Sequence, residues 1–331
     1  SSQTDFPLRN EALLGQARML QNLDRKSEAE EILAPAVNWP SSPLRTMALQ
    51  ELAALRLDRE NPRAALEILD QIMPDSPQAK TRQDFLLARA AILENDNDQA
   101  LKLLAPLVPL DSAMATETVL LHSKTLGRSG RYQEAENLLE EFIAANPNAP
   151  GLNRVFWELD QIYSGAASTS SSELKRWSED GNPSLRRKLA CYYLAILSAR
   201  QKNPKAALAL LEKLSAEPGP NPFEEETRLE MAELRLRLGL VDETLSVLPH
   251  IGHSPETDFL RGLALANKSR FDEAAVSFDH ASKADRFAES ALYNAALCEM
   301  LSDSPLKPFQ TQLEARFPKS EHLSALKLQV A

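Results

Sequence analysis

The amino-acid sequence predicts an all-α fold, in which about nine antiparallel helix pairs follow one another through residues 1–331 as a single array. Three observations support this prediction. A phrase of small and apolar residues recurs about every 35 residues, and its apolar positions have helical spacing. The composition also favours helices, since Leu and Ala dominate the apolar set and only 10 of 331 residues are glycine.

The repeat is anchored on a small residue near the start of an apolar helix. In the fourth copy this anchor is Ala135, in the phrase RYQEAENLL. The anchors of the other copies are Ala29, Ala65, Ala100, Ala207, Thr244 and Ala274. The first and last anchors are 245 residues apart, which is seven steps with a mean of 35, because the 72-residue interval before Ala207 contains two periods. The sequence therefore predicts one degenerate copy within that interval.

Three further columns keep their residue type in every copy. The residue 12 positions before the anchor is small: Ala17, Ala53, Ala88, Ser123, Ala195, Ala232 and Gly262. The residues four and seven positions after it are apolar, from Leu33 and Ala36 in the first copy to Phe278 and Ala281 in the last. The anchor and these two partners form one apolar stripe of a helix. The small residue belongs to a preceding helix that approaches closely, so each copy is a helix A followed by a helix B.

Turn and cap residues separate the two helices of a pair. They include Asn61-Pro62, Gly130, Asn203-Pro204 and Gly239. The GRSG stretch at 127–130 is one such bend, because it lacks the spacing of a nucleophile elbow and the Gly-Lys-Ser/Thr ending of a phosphate-binding loop.

The degenerate fifth copy has a different connection. Residues 151–163 read as a helix A and 172–180 as a short helix B, with the serine-rich stretch near 164–172 between them. We interpret this copy as a worn repeat with a flexible loop rather than as a functional insertion. After residue 284 the sequence predicts one more pair. Residues 320–331 then form a capping helix or the first helix of a further repeat, which gives 18 to 19 helices.

The repeat resembles the tetratricopeptide repeat (TPR). That family's pattern has a small residue in helix A, a G-x-Y/F turn, an E-A opening of helix B and a closing proline. The fullest match is the copy around 119–147, with Ser123, Gly130, Tyr132, Glu134-Ala135, Phe142 and Pro147. Other copies lack the helix A aromatic and often the turn glycine. The resemblance covers nearly the whole chain, and it implies a right-handed superhelix with helix A on the concave side.

Residues capable of chemistry are sparse. His250 and His253 lie close together with Asp258 downstream, but a metal site needs three or four convergent ligands, so we interpret this segment as a solvated loop. No paired carboxylates stand in an apolar setting that suits acid–base catalysis. Cys191 and Cys298 lie in apolar helical contexts, which indicates buried thiols rather than a disulfide. We therefore predict no enzyme activity, no catalytic or metal-binding residue and no cofactor.

Charge and hydropathy limit the classes of partner. The 37 basic and 47 acidic residues give a net charge of −10, which opposes binding to a phosphate backbone. The longest uncharged apolar run, 189–199, is too short to span a bilayer. The sequence begins SSQTD, so we expect a processed chain or a piece of a longer one. We expect the three tryptophans, Trp39, Trp157 and Trp177, to pack between repeats.

The resemblance also implies where a partner binds. In the family, helix A positions 18, 15, 11, 8 and 7 residues before the anchor face the groove. The groove candidates here are Arg82, Phe85, Arg89, Lys124, Arg128, Tyr192, Arg200 and Arg237. Asparagine is missing 11 residues before the anchor, so the carboxylate clamp for chaperone C-termini is not expected. Two interpretations remain open. The cations bind an acidic or extended peptide, or they pair with Asp and Glu on adjacent helices.

Three classes of function fit these observations. We predict the first, a non-catalytic protein–protein interaction scaffold with a concave groove for a protein or peptide. The alternatives are a pentatricopeptide-like binder of single-stranded RNA, or an accessory arm of an enzyme or a secretion or transport assembly. Residues 315–329 resemble hairpin junctions of exported bacterial TPR proteins, which favours a periplasmic or cell-envelope location over the cytoplasm. The oligomeric state stays open.

Overall fold

The computed structural model describes residues 8–107, 114–166, 171–182, 184–302 and 309–330. These described residues form 19 α-helices and no β-strand, which confirms the predicted all-α fold. The chain divides into two compact units, Ser1–Ser168 and Thr169–Ala331. We describe each unit by itself, and a single array through residues 1–331 stays a prediction.

Unit 1 contains four helix pairs and one further helix within its described residues. They are α1 (Arg9–Asn22), α2 (Lys26–Leu33), α3 (Pro43–Asp58), α4 (Pro62–Leu69), α5 (Pro77–Leu93), α6 (Asn97–Leu104), α7 (Ala115–Arg128), α8 (Tyr132–Ala145) and α9 (Leu152–Gly165). Odd-numbered helices are the A helices of the repeat, and even-numbered helices are the B helices.

Unit 2 contains a short first helix, four pairs and a last helix within its described residues. They are α10 (Ser172–Ser178), α11 (Leu185–Arg200), α12 (Pro204–Ala216), α13 (Glu224–Arg237), α14 (Val241–Val247), α15 (Pro255–Asn267), α16 (Phe271–Ala281), α17 (Asp285–Leu301), α18 (Phe309–Arg316) and α19 (Glu321–Val330). The predicted helices on either side of the serine-rich stretch are present as α9 and α10, while residues 167–170 of that stretch lie outside the described residues.

Several helices begin with the same two-residue device. A Ser or Asn side chain accepts a hydrogen bond from the backbone N–H three residues later, and a proline follows as the first helical residue. The pairs are Ser42-Pro43, Asn61-Pro62, Ser76-Pro77, Asn203-Pro204 and Ser254-Pro255. Two of these were predicted as turn or cap residues. The first N–H groups of a helix have no acceptor within the helix. The Ser or Asn side chain accepts from one of them, and proline has no N–H to leave unpaired, so the two residues together fix where each helix begins.

The turn between helix A and helix B has one backbone geometry in seven copies. The residue five positions before the anchor has a positive φ, between 55° and 78°. These residues are Asp24, Glu60, Asn95, Gly130, Lys202, Gly239 and Ser269. In each copy the next residue donates its N–H to the carbonyl five residues before it, for example Asn61 to Arg56 at 3.0 Å and Asn203 to Ser198 at 3.0 Å. This helix-ending hydrogen bond stabilises a left-handed residue even where it is not glycine.

The predicted columns form the core of both units. All seven anchors are completely inaccessible, and the seven small residues 12 positions earlier are buried. The apolar column four residues after the anchor is also buried throughout. In the column seven residues after it, Ile251 is partly buried and the other six residues are buried. The sequence-based register of the helix pairs is therefore confirmed within the described residues.

Candidate partner-binding surfaces

Glu51 lies between two cations on neighbouring A helices of unit 1. Its Oε1 is 3.4 Å from Nη2 of Arg18 on α1, and its Oε2 is 3.2 Å from Nη2 of Arg82 on α5. The Glu51 side chain is only 13% exposed, whereas the two arginines keep more of their surface in solvent. One half-enclosed carboxylate thus joins three successive repeats.

Asp58 also lies between two cations, about two helical turns after Glu51 on α3, with Lys26 on the B helix α2 and Arg89 on the A helix α5. Its carboxylate is 2.7 Å from Nη2 of Arg89 and 3.0 Å from Nζ of Lys26. Burial by itself would raise the pKa of Asp58, but the hydrogen bonds and charges of Arg89 and Lys26 outweigh burial and hold the pKa below its ordinary value. Phe85 lies one turn before Arg89 on α5 and is partly buried. Arg82 and Arg89 therefore have the carboxylate partners that the second interpretation expects.

Lys124 and Arg128 face a more deeply buried carboxylate, that of Glu158 on α9. Glu158 is 4% exposed, and its Oε2 lies 3.8 Å from Nζ of Lys124. Burial raises the pKa of Glu158 above its ordinary value, against the opposing charges of Lys124 and Arg128. Its 3.8 Å separation from Lys124 is also longer than the 2.7 Å between Asp58 and Arg89, so Glu158 is a weaker counter-ion than Asp58, and Lys124 and Arg128 both remain exposed.

Trp157 does not pack between repeats as expected. Its side chain is 51% exposed, and Nζ of Lys124 lies 5.9 Å from its ring centroid. Trp177, in contrast, is 2% exposed, and Trp39 packs against the core of unit 1. The sequence could have predicted the exposure of Trp157. The apolar stripe of α9 runs through Val155, Phe156 and Leu159, and residue 157 lies outside that stripe. We name Lys124, Arg128, Trp157 and Glu158 the Trp157 surface.

In unit 2, the structure brings Tyr192 and Arg237 together in one cleft of about 580 Å³. The cleft is formed by four successive A helices, α11, α13, α15 and α17. Its lining consists of Tyr192, Glu226, Leu229, Glu230, Glu233, Leu236, Arg237, Glu256, Phe259, Leu260, Leu263, Arg286 and Phe287. We name it the unit 2 cleft. Arg200 lies at the end of α11 and acts on Glu230 through its charge, but it is not part of the lining.

The unit 2 cleft contains more carboxylates than cations. Arg237 forms an ion pair with Glu233 of its own helix, and Nη1 of Arg286 is 3.5 Å from Oε1 of Glu256. No described residue forms an ion pair or a hydrogen bond with the carboxylate of Glu230. Burial first, and the charge of Glu233 second, raise the pKa of Glu230 above its ordinary value.

Of the two histidines singled out in the sequence, His250 ends a short 3-10 helix, Leu248–His250, and His253 lies in the loop before α15. Nδ1 of His253 is 3.5 Å from Oδ1 of Asp258, which Arg261 also holds at 2.7 Å. In the part of the chain that the structure describes, no group of three or more His, Cys, Asp or Glu side chains could hold a metal ion. None of the described helices is both long and apolar enough to cross a membrane.

Comparison with known proteins gives likenesses of fold only. No family model matches the chain, and no curated protein matches it. One similar solved structure is the human IFIT1 dimer with PPP-AAAA. Its chain is 15% identical to this one, and the match covers 95% of this chain and 81% of that chain (TM-score 0.46). Kinesin light chain TPR-like repeats from Podosopora anserina are 19% identical over 65% and 100% (TM-score 0.45). A tetratricopeptide repeat protein from Parabacteroides merdae is 16% identical over 88% and 96% (TM-score 0.41). With seven aligned anchors buried between paired helices, the chain is an α-helical repeat protein similar to tetratricopeptide-repeat proteins.

Proposed function

We propose that the chain is a protein-interaction scaffold and that its A helices bind a protein or peptide partner. The observation that carries this proposal is the half-exposed Trp157 beside Lys124. A tryptophan is costly to leave in water and contributes a large contact area when it is covered, which is why it is enriched among the residues that dominate binding energy. The indole is thus the natural centre of an interface on unit 1.

The charges around Trp157 favour an acidic or extended peptide segment. Lys124 and Arg128 are exposed cations, and their internal counter-ion Glu158 is buried, with a raised pKa. A carboxylate from a partner can approach both cations from solvent while an adjacent side chain covers the indole. Such charge-assisted hydrogen bonds are the strong kind.

Arg82 and Arg89 would join this surface only by exchanging partners. Each is paired with a carboxylate of α3, Arg82 with Glu51 and Arg89 with Asp58. Ion pairs of partly exposed side chains contribute at most about 1 kcal/mol, so an acidic partner can compete for them. We therefore expect a smaller contribution from these two arginines than from Trp157 and Lys124.

An array of immobilised acidic, basic and neutral peptides, probed with the purified chain, tests the proposal. We expect acidic peptides to bind, and fluorescence polarisation to show at least a tenfold loss of affinity in Trp157→Ala and in Arg89→Glu/Lys124→Glu, with little change in Tm. Arg63→Glu is the matched control, because it reverses an exposed charge on the B helix α4. Undiminished binding by the folded variants would place the site elsewhere.

The same assay separates the alternatives. Mixed single-stranded RNA at low salt is the second arm, and RNA binding without peptide binding would overturn the scaffold proposal in favour of an RNA reader. A bacterial periplasmic or envelope location is proposed from the resemblance of residues 315–329, and the scaffold function is compatible with a role as one arm of a larger assembly. Fractionation of the native host with an antibody to the chain tests that location.

A further inference from the structure

The unit 2 cleft combines apolar side chains with its charged ones. Leu229 and Leu236 line it from α13, one on each side of Glu230 and Glu233, and Leu263 lines it from α15. All three leucines are only partly buried, so the cleft keeps apolar surface in contact with water. Its volume lies in the range typical of ligand sites.

Two aromatic stacks hold the walls of the cleft in place. The ring of Tyr192 stacks on Phe223, with centroids 4.5 Å apart and planes 29° apart. At the other end, Phe259 stacks on Phe287 with centroids 5.4 Å apart. Because these rings are fixed by neighbours before any partner arrives, binding against them costs little side-chain entropy. Their faces also attract cations.

The carboxylates of α13 add a fixed negative charge to this apolar surface. Glu226, Glu230 and Glu233 are spaced by four and three residues, so they lie on one face of the helix. Glu233 is neutralised by Arg237, but among the described residues Glu226 and Glu230 have no ion-pair or hydrogen-bond partner. Partial burial of a carboxylate without a hydrogen-bond donor carries a desolvation cost, and an incoming cation offsets this cost.

We propose that the unit 2 cleft binds a peptide segment in which a lysine or arginine is flanked by apolar side chains, with its cation at Glu230 and its apolar neighbours against Leu229, Leu236 and Phe259. The inference rests on the proposed scaffold function and names the chemistry of a second partner segment. That segment is opposite in charge to the one proposed for the Trp157 surface, so the two surfaces bind different sequences.

The cation of the peptide supplies a hydrogen-bond donor for Glu230, whereas Arg237 and Arg286 of the lining are paired with Glu233 and Glu256. A guanidinium or ammonium group donates hydrogen bonds to the Glu230 carboxylate, and the rings of Tyr192 and Phe259 line the same cleft. An acidic peptide would instead bring like charge against four glutamates of the lining, of which Glu233 and Glu256 alone pair with an arginine among the described residues. Charge complementarity therefore selects the partner, and the apolar side chains of the lining provide the contact area.

The test uses the whole chain and four capped hexapeptides that differ at one central position. The flanking residues are Leu and Phe, and the central residue is Lys, Arg, norleucine or Glu. Isothermal titration calorimetry should show that the Lys and Arg peptides bind, the norleucine peptide binds at least tenfold more weakly, and the Glu peptide does not bind measurably. Equal affinity for the Lys and norleucine peptides would overturn the inference.

Glu230→Gln keeps the size of the side chain and removes its charge, so it should weaken Lys-peptide binding at least tenfold. Glu225→Gln is the matched control, since Glu225 is exposed on α13, outside the cleft, and it should leave affinity unchanged. Equal loss in both variants would contradict a role for the cleft. If acidic peptides bind through Trp157 while no basic peptide binds, the inference fails and the proposed scaffold function stands. If no peptide of either charge binds, both fail.

Discussion

The ring of Phe278 on α16 packs directly on Gly262 of α15. A methyl group placed on residue 262 would lie 2.7 Å from both Cδ1 and Cε1 of that ring. These two residues occupy the small column and the apolar column four residues after the anchor. Most other copies have alanine opposite leucine in these columns, so this copy combines a smaller residue with a larger one and keeps the helices paired.

Gly262→Ala should destabilise the fold by about 1–3 kcal/mol, because the ring of Phe278 cannot yield without disturbing its neighbours. Phe278→Leu in the same chain should recover part of this loss, since it restores the pairing of the other copies. Urea unfolding measures both. Gly15→Ala is the control: nothing lies within 4 Å of an added Cβ there, and helix propensity predicts a gain of up to about 1 kcal/mol. Equal effects of the two alanines would contradict the packing.

Larger side chains at other positions of the small column should lower the stability of the fold by a similar amount. Ala88 and Ala195 are almost completely buried between paired helices. Replacing either with leucine should overpack the pair and cost about 1–3 kcal/mol. An unchanged denaturation midpoint for either variant would show that the register assigned to that repeat is wrong.

The left-handed turn residues predict a gain from glycine. Glu60 and Lys202 have φ values of 55° and 59°, which costs an L-residue about 1–2 kcal/mol, whereas glycine loses about 0.5–1 kcal/mol of chain entropy. Glu60→Gly and Lys202→Gly should therefore raise stability by up to about 1 kcal/mol. Gly130→Ala should lower it by a similar amount, although no atom lies within 4 Å of the new Cβ. Differential scanning calorimetry should show a higher Tm for Glu60→Gly and Lys202→Gly and a lower Tm for Gly130→Ala. A Tm shift in the same direction for all three variants would refute the explanation from backbone conformation.

A buried lysine holds a loop of unit 2. Nζ of Lys188 donates to the carbonyl oxygens of Pro218, Gly219 and Pro220, at 2.9, 3.0 and 3.0 Å, and the side chain is 7% exposed. Lys188→Met leaves these acceptors without their donor and should cost about 1–3 kcal/mol. Lys205→Met, at an exposed position on α12, should stay within about 0.5 kcal/mol. If thermal unfolding did not separate the two variants, the lysine would not be a stabilising donor.

The two thiols should be unreactive in the folded protein. Burial raises the pKa of both Cys191 and Cys298 to about 11 and disfavours the thiolate, which is the nucleophilic form. At pH 8 we expect native protein to react with iodoacetamide far more slowly than urea-unfolded protein, in which both cysteines react. Folded-state reactivity should rise only as the pH approaches the raised pKa. Rapid labelling of native protein at pH 8 would show that these helices open readily.

The sequence by itself determined the helix pairs and their register. Ala29 and Ala274 are 245 residues apart, yet the same columns around them are buried, because amphipathic spacing within one helix is a local property that neighbouring residues encode. Cap pairs such as Ser42-Pro43 are equally local. The turn glycines predicted the bend in two copies only, since a hydrogen bond rather than a residue type imposes the left-handed conformation at Glu60.

Only the tertiary structure decided which charged and aromatic groups meet. Arg89 and Asp58 are 31 residues apart, and their contact depends on how one A helix is rotated against the next. The same kind of packing leaves Trp157 half in solvent and places Glu230 in the unit 2 cleft, where no described residue forms an ion pair with it. A repeating pattern specifies the buried stripe of each helix because every copy shares it. The charged and aromatic residues that contact one another on the surface differ from copy to copy. Their contacts depend on how the helices pack, and the repeat pattern of the sequence does not predict them.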